Sequence, residues 1–157
     1  MFTDGAIDGV VVRQLKKHAD ARGALTELFR LDELPAGFLP AMAYISLTLS
    51  GVVRGPHEHK DQTDYFCFAG PSDFKVCLWD NRESSPTHLS RMVFIAGESS
   101  PAAVIVPQGV VHAYKNTGNK DGLVINCPNR LFKGHGGKWP VDEVRYENIA
   151  DSPYRIE

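Results

Sequence analysis

Two histidines placed two residues apart, His57 and His59, are the first residues of this chain whose types and spacing could do chemistry. In an extended strand, residues i and i+2 share a face, so both imidazoles lean into one space. Asp64 follows, then an aromatic run from Tyr65 to Phe68 closed by Gly70. A second segment, Val104 to Asn116, supplies a third histidine, His112, just after a Pro-x-Gly turn. Arg54 precedes His57 by one short step, and Tyr114 lies on the strand face of His112. Three imidazoles and a carboxylate are ligand types that suit Zn, Fe, Mn or Ni. A histidine that titrates near neutrality is equally a proton-transfer group. The plainer reading is a solvent-facing polar pair on an edge strand. The Gly-Pro before His57 and the separate His112 argue instead for one polar pocket lined from both sides.

The elements that must position these residues are short strands. Gly9 to Leu15, Ala24 to Arg30, Met42 to Ser50, Tyr65 to Phe68, Phe74 to Asp80, Met92 to Ile95, Ala103 to Val106, Val111 to Lys115 and Gly122 to Cys127 are each rich in β-branched or aromatic residues. Gly, Pro, Asn, Asp and Ser punctuate them. Asp20 to Gly23 reads as a tight turn, and Leu31 to Leu34 as one helical turn stopped by Pro35. Many short strands at regular spacing predict an all-β sandwich, jelly roll or small barrel. With no repeat and no linker, residues 1–157 read as one domain. The polar tail from Trp139 to Glu157 is expected to wrap the surface or a partner subunit.

The totals exclude several classes. A net charge of −2 carries no electrostatic footprint for nucleic acid. The apolar runs are too short to span a membrane, and no signal-peptide pattern opens the chain. Cys67, Cys77 and Cys127 lie in apolar runs with no C-x-x-C, which suits buried free thiols in a reducing cytoplasm. Cys67 and Cys77 flank Gly70, so a disulfide between them is the alternative. His18, His88 and His135 read as surface residues, Arg82 as the partner of a neighbouring acid, and Phe66, Phe68, Phe74 and Trp79 as core.

The pattern Gly51, His57, His59, Asp64, Gly70 resembles the first cupin motif, with Asp in place of Glu. Pro107, Gly109, His112 and Asn116 match the second. The resemblance implies an antiparallel β jelly roll of the cupin type. A narrower likeness runs through Asp20-x-Arg22-Gly23, Glu27, Val52-Val53-Arg54-Gly55-x-His57, Ser84-Ser85-Pro86-Thr87 and Pro107-x-Gly109. In that order they resemble the dTDP-4-dehydrorhamnose 3,5-epimerase family. The likeness implies an isomerase that epimerises a dTDP-linked 4-keto-6-deoxyhexose, needs no cofactor, and forms a homodimer. Gly9 to Leu15, which has no evident local strand partner, suits pairing between subunits.

By this resemblance His57 is the base and Asp142 orients it. Arg54 contacts the substrate or its enolate, Arg22 and Glu27 bind nucleotide or sugar, and His59 and His112 take pocket positions. The chemistry suits these residue types. Protons next to a ketone are acidified, and the enolate left behind needs positive charge or donors at its oxygen. The chain also departs from the family. The family's catalytic tyrosine is missing, since Arg130, Leu131 and Phe132 occupy its stretch; Leu25 replaces a Phe, and Met42 and Tyr44 stand where the family has Gln-x-Asn. Tyr114 is the expected replacement acid. His59 and Asp64 are additions that restore a metal-type set with His57 and His112, so a metal-binding cupin, enzyme or sugar-binding module, is the competing expectation.

Overall fold

The computed structural model describes residues 1–157. Thirteen strands occur in chain order: β1 (Thr3–Asp4), β2 (Val11–Gln14), β3 (Lys17–Asp20), β4 (Gly23–Thr26), β5 (Tyr44–Thr48), β6 (Val53–Glu58), β7 (Asp64–Phe68), β8 (Asp73–Asp80), β9 (Ser90–Gly97), β10 (Ala102–Val106), β11 (Val110–Asn116), β12 (Gly122–Asn126) and β13 (Val144–Arg145). Two single 3₁₀ turns, Leu31–Glu33 and His135–Gly137, are the only helical pieces. The strands build a six-stranded sheet, β1-β9-β8-β11-β6-β13, and a five-stranded sheet, β2-β10-β7-β12-β5. Every pairing is antiparallel except β1 with β9. This is the expected jelly roll.

Period-two alternation explains why the central strands read as unbroken apolar runs. On β8, Phe74, Val76 and Leu78 face the core between the sheets. Cys77 and Trp79 on the same strand face outward, under a cover of Phe2, Tyr146, Tyr154 and Ile156. On β7, Phe66 and Phe68 point inward, while Tyr65 and Cys67 point out beneath Leu28, Phe29, Leu34 and Phe38. Both sheets are therefore covered on both faces over their centres. All three cysteines are buried and free, which removes the Cys67–Cys77 disulfide alternative.

Two expectations are corrected, and a third is narrowed to one of its alternatives. Gly9 to Leu15 does have a partner within the chain: β2 pairs with β10 through Val12 and Val104. The strand foreseen over Ala24 to Arg30 ends at Thr26, and it pairs with β3, which carries too few apolar residues to be read as a strand. The tail wraps its own chain. β13 pairs with β6, and the Tyr146 hydroxyl donates to the buried Glu58 carboxylate at 2.7 Å. The Tyr154 hydroxyl donates to Asn81 at 2.7 Å.

The segment Asp80 to Thr87 is a structural clamp. Asp80 is fully buried and accepts from Arg82 Nε at 2.8 Å, from Ser85 Oγ at 2.6 Å and from Thr87 Oγ1 at 2.6 Å. Burial works against its ionisation, but these donors prevail and hold the carboxyl well below the usual range. Such a group stabilises the fold above its unfolded pKa of about 3.9 and loses that contribution as pH falls towards its folded value. Asp80→Ala also leaves Arg82 unpaired. We expect it to lower stability by about 3 kcal/mol or more in urea unfolding at neutral pH, with the difference from the unsubstituted protein shrinking below about pH 4.

Candidate active site

The site is built on the pairing of β6 with β11, which sets His57 directly opposite His112. Their ring centroids are 4.3 Å apart. A register shift between His112 and Tyr114 lets Arg54 pair with Tyr114. The stretch of β6 leading into His57 requires glycine. Gly55 has φ +81°, and a Cβ there would lie 2.5 Å from the His112 carbonyl oxygen.

A cavity of about 1210 Å³ opens between the two sheets at this end. His57, His59, Arg54, Tyr114 and Tyr44 stand on its wall. The stretch Arg130 to Phe132, where the family's tyrosine would be, forms part of its mouth. His112 is not on the cavity surface. It is buried behind His57, because β11 is a central strand covered on both faces. Asp64, which opens β7, is 1 % exposed and lies in that same deeper layer.

The buried layer has a definite hydrogen-bond sense. His112 Nδ1 is 3.1 Å from the Val110 carbonyl, which can only accept, so the proton is on Nδ1. His59 Nδ1 meets the Asp142 carbonyl in the same way. Both Nε2 atoms therefore bear lone pairs, and both face Asp64 Oδ2, at 3.3 Å from His59 and 3.4 Å from His112. Asp64 Oδ1 is well satisfied, accepting from Gln62 Nε2 and Asn126 Nδ2 at 2.8 Å each. Asp64 Oδ2 and His112 Nε2 are buried without any hydrogen-bond partner. The three histidines bring one ligand atom each within 4.8 Å of one another, and Asp64 stands beside this set. His59 Nε2 also accepts from Gln62 Nε2 at 3.2 Å, so the two unpaired acceptors, Asp64 Oδ2 and His112 Nε2, are the ones that call for a proton or a cation between them.

Electrostatics separate the histidines' roles. Burial, aided by the nearby His112 and His59, pushes His57 down to about 2. Burial also pushes His112 down, against the charge of Asp64. His57 is thus a neutral imidazole on a cavity wall, and it serves as a base only as far as a facing carboxylate offsets that depression.

Asp142 does not face His57. Its carboxylate accepts the backbone amides of Lys60, Asp61 and Gln62 at 2.9 to 3.0 Å, which hold it below the usual range although burial opposes this. The carboxylate facing His57 is Glu143, with Oε1 3.8 Å from Nδ1. Its other oxygen accepts from Arg145 at 2.7 Å. The pairing of β13 with β6 puts it there, an arrangement the sequence hints at only through the adjacent Asp142.

Arg54 bridges the sheets, donating to Thr48 Oγ1 at 2.9 Å and the Leu47 carbonyl at 2.6 Å. Arg22 and Glu27 are outside the cavity. Arg22 lies in the turn of the β3–β4 hairpin, paired with Asp20 at 2.6 Å, and Glu27 is exposed just beyond β4. Tyr44, Gln62 and Asn126 were not foreseen as site residues. The signal for Tyr44 was its place in the alternation Tyr44, Ser46, Thr48 along one strand face.

A jelly roll holding a histidine, an arginine and tyrosine hydroxyls around a large cavity defines a cupin-type fold with a site suited to proton transfer on a bound small molecule. The profile of the dTDP-4-dehydrorhamnose 3,5-epimerase family matches residues 4–137, and the chain belongs to that family. It is 38 % identical over 128 residues to a probable low-salt glycan biosynthesis epimerase, Agl13, from Haloferax volcanii, covering 80 % of this chain and 81 % of that one. The spore coat polysaccharide biosynthesis protein SpsL of Bacillus subtilis is 39 % identical over 120 residues, covering 76 % and 78 % of the two chains. A dTDP sugar isomerase from Desulfovibrio desulfuricans shares the fold with a TM-score of 0.81 at 23 % identity, over 95 % of this chain and 91 % of the other.

Proposed function

We propose that the protein binds a dTDP-linked 4-keto-6-deoxyhexose in the cavity and that His57 removes a proton next to the ketone. The observation that carries this reading is His57 on the wall of a cavity of about 1210 Å³, large enough for a nucleotide sugar, with the Glu143 carboxylate 3.8 Å from its Nδ1. The electron pair of the broken C–H bond moves onto the carbonyl oxygen, and Arg54 supplies positive charge for that oxygen. Glu143 stabilises the imidazolium that His57 becomes, the role a carboxylate plays behind a catalytic imidazole. Only protons move, so this chemistry requires no cofactor. In heavy water, dTDP-4-keto-6-deoxyglucose should take up deuterium at C3 or C5, seen by NMR. His57→Asn should cut that exchange about 100-fold or more while keeping dTDP binding. Arg54→Ala should weaken both, and Glu143→Gln should slow exchange without loss of binding. No deuterium uptake with the unsubstituted protein overturns the reading.

A second reading is favoured by the orphaned Asp64 Oδ2 and His112 Nε2. A divalent transition metal would be held by His57, His59 and His112 with Asp64 beside them. The donor set fits, because His59 and His112 each give the other ring nitrogen to a backbone carbonyl, as metal-bound imidazoles do. Such an ion would supply Lewis acidity at the base of the cavity. Protein purified without a metal-affinity step should then carry near-stoichiometric metal by elemental analysis. No retained metal, and no rise in melting temperature on adding Zn, Mn, Fe or Ni, rejects it.

The protein is further read as a homodimer. The β3–β4 hairpin pairs only with itself, and β5, an edge strand, exposes Ile45 and Leu47. A second copy against this edge would cover those side chains and could carry Arg22 and Glu27 to the partner's cavity. Sedimentation should give a dimer at micromolar concentration, and a monomer there counts against the pairing.

A further inference from the structure

Inversion at a carbon needs a base on one face of the sugar ring and an acid on the other, and this chain lacks the family's tyrosine. Resting on the epimerase reading above, we propose that Tyr44 is the acid: it returns a proton to the enolate from the face opposite His57.

The sheets decide the sides. His57 is on β6, and Tyr114 is on β11, the strand hydrogen-bonded to β6. Both therefore approach the cavity from the six-stranded sheet. Tyr44 is on β5, in the facing sheet. There Ser46 and Thr48 point inward to Tyr114 and Arg54, while Ile45 and Leu47 point to solvent. Alternation places Tyr44 with the inward set, and it lines the cavity. A sugar ring lying between the sheets has His57 on one side and Tyr44 on the other.

The hydroxyl is also oriented for donation. Asn126 Oδ1 accepts the Tyr65 amide at 3.1 Å, which fixes the amide group's sense. Asn126 Nδ2 therefore donates, to Tyr44 Oη at 2.9 Å and to Asp64 Oδ1 at 2.8 Å. Tyr44 Oη accepts this bond, and its own proton is left for the cavity. The same Asn126 donor stabilises the phenolate once the proton has gone. Burial pushes the Tyr44 hydroxyl up to about 12, so it is protonated at neutral pH. Tyr114 is poorly placed by comparison. It is 6 % exposed, its ring is enclosed by Phe66, Phe68 and Phe74, and its hydroxyl is engaged with Ser46 Oγ at 3.0 Å. Tyr44 is 45 % exposed and lines the cavity.

The step balances without a co-reactant. His57 takes the carbon-bound proton and the pair forms the enolate. The Tyr44 O–H bond then breaks as a new C–H bond forms on the opposite face and the carbonyl is restored. The phenolate regains a proton from water and the imidazolium releases one, with no net oxidation.

The test follows dTDP-4-keto-6-deoxyglucose in heavy water with the full-length protein, reading deuterium content and configuration at C3 and C5 separately. Tyr44→Phe removes one oxygen and leaves Asn126 bonded to Asp64, and retained dTDP binding by calorimetry reports an intact site. We expect Tyr44→Phe to lower inversion about 100-fold or more while exchange at the same carbon stays within about 10-fold of the unsubstituted protein. Inversion kept within about 10-fold in Tyr44→Phe overturns the proposal. So does equal loss of exchange and inversion, or inversion lost in Tyr114→Phe but kept in Tyr44→Phe. Absence of deuterium uptake in the unsubstituted protein is a different failure, since it removes the epimerase reading itself.

Discussion

A carboxylate buried at the junction of the two sheets organises this site. Asp64 begins β7 in the five-stranded sheet, yet its free oxygen faces His112 from the six-stranded sheet and His59 from the loop after β6. A buried charge is tolerated only when donors or opposite charge surround it. Gln62 and Asn126 satisfy one oxygen, and in doing so they fix the loop before β7 and the end of β12. Asn126 passes the same constraint on to Tyr44. One charged group thereby orients residues from β5, β7, β11 and β12 around the floor of the cavity.

The cavity lies at the end of the inter-sheet space that the apolar core does not fill. The aromatic core fills the space between the sheets towards one end, around Phe68 and Phe74. Polar side chains occupy the other end, where Arg54 ties β6 across to β5. The tail completes the wall. Tyr146 anchors to Glu58, the neighbour of His57 pointing the other way, and this brings Glu143 against His57. A segment that looks like a polar appendage in sequence is thus part of the cavity wall.

The division of labour among the imidazoles follows from depth. His57 meets the cavity and is kept neutral by burial and by the two other histidines. His59 and His112 direct their Nδ1 protons to backbone carbonyls and their lone pairs to Asp64.

The sequence by itself determined the fold and the principal site strands. Alternating short strands, the His57-x-His59 pair and the Pro107-x-Gly109 turn with His112 are local signals, carried by the period of two and by turn chemistry. Gly55 is equally local, because only glycine lets the chain pass so near the His112 carbonyl. What tertiary structure alone decided is which side chains meet across long separations. Tyr114 reads as a pocket residue from its strand face and Tyr44 does not, and only sheet membership puts one on the strand beside His57 and the other in the facing sheet. Asp142 and Glu143 are sequence neighbours with opposite uses, separated by the pairing of β13 with β6. Arg22 and Glu27 carry the family's pattern, yet the hairpin directs them away from their own cavity. Periodicity states which face a residue takes, and only strand order and the burial of Asp64 state what that face meets.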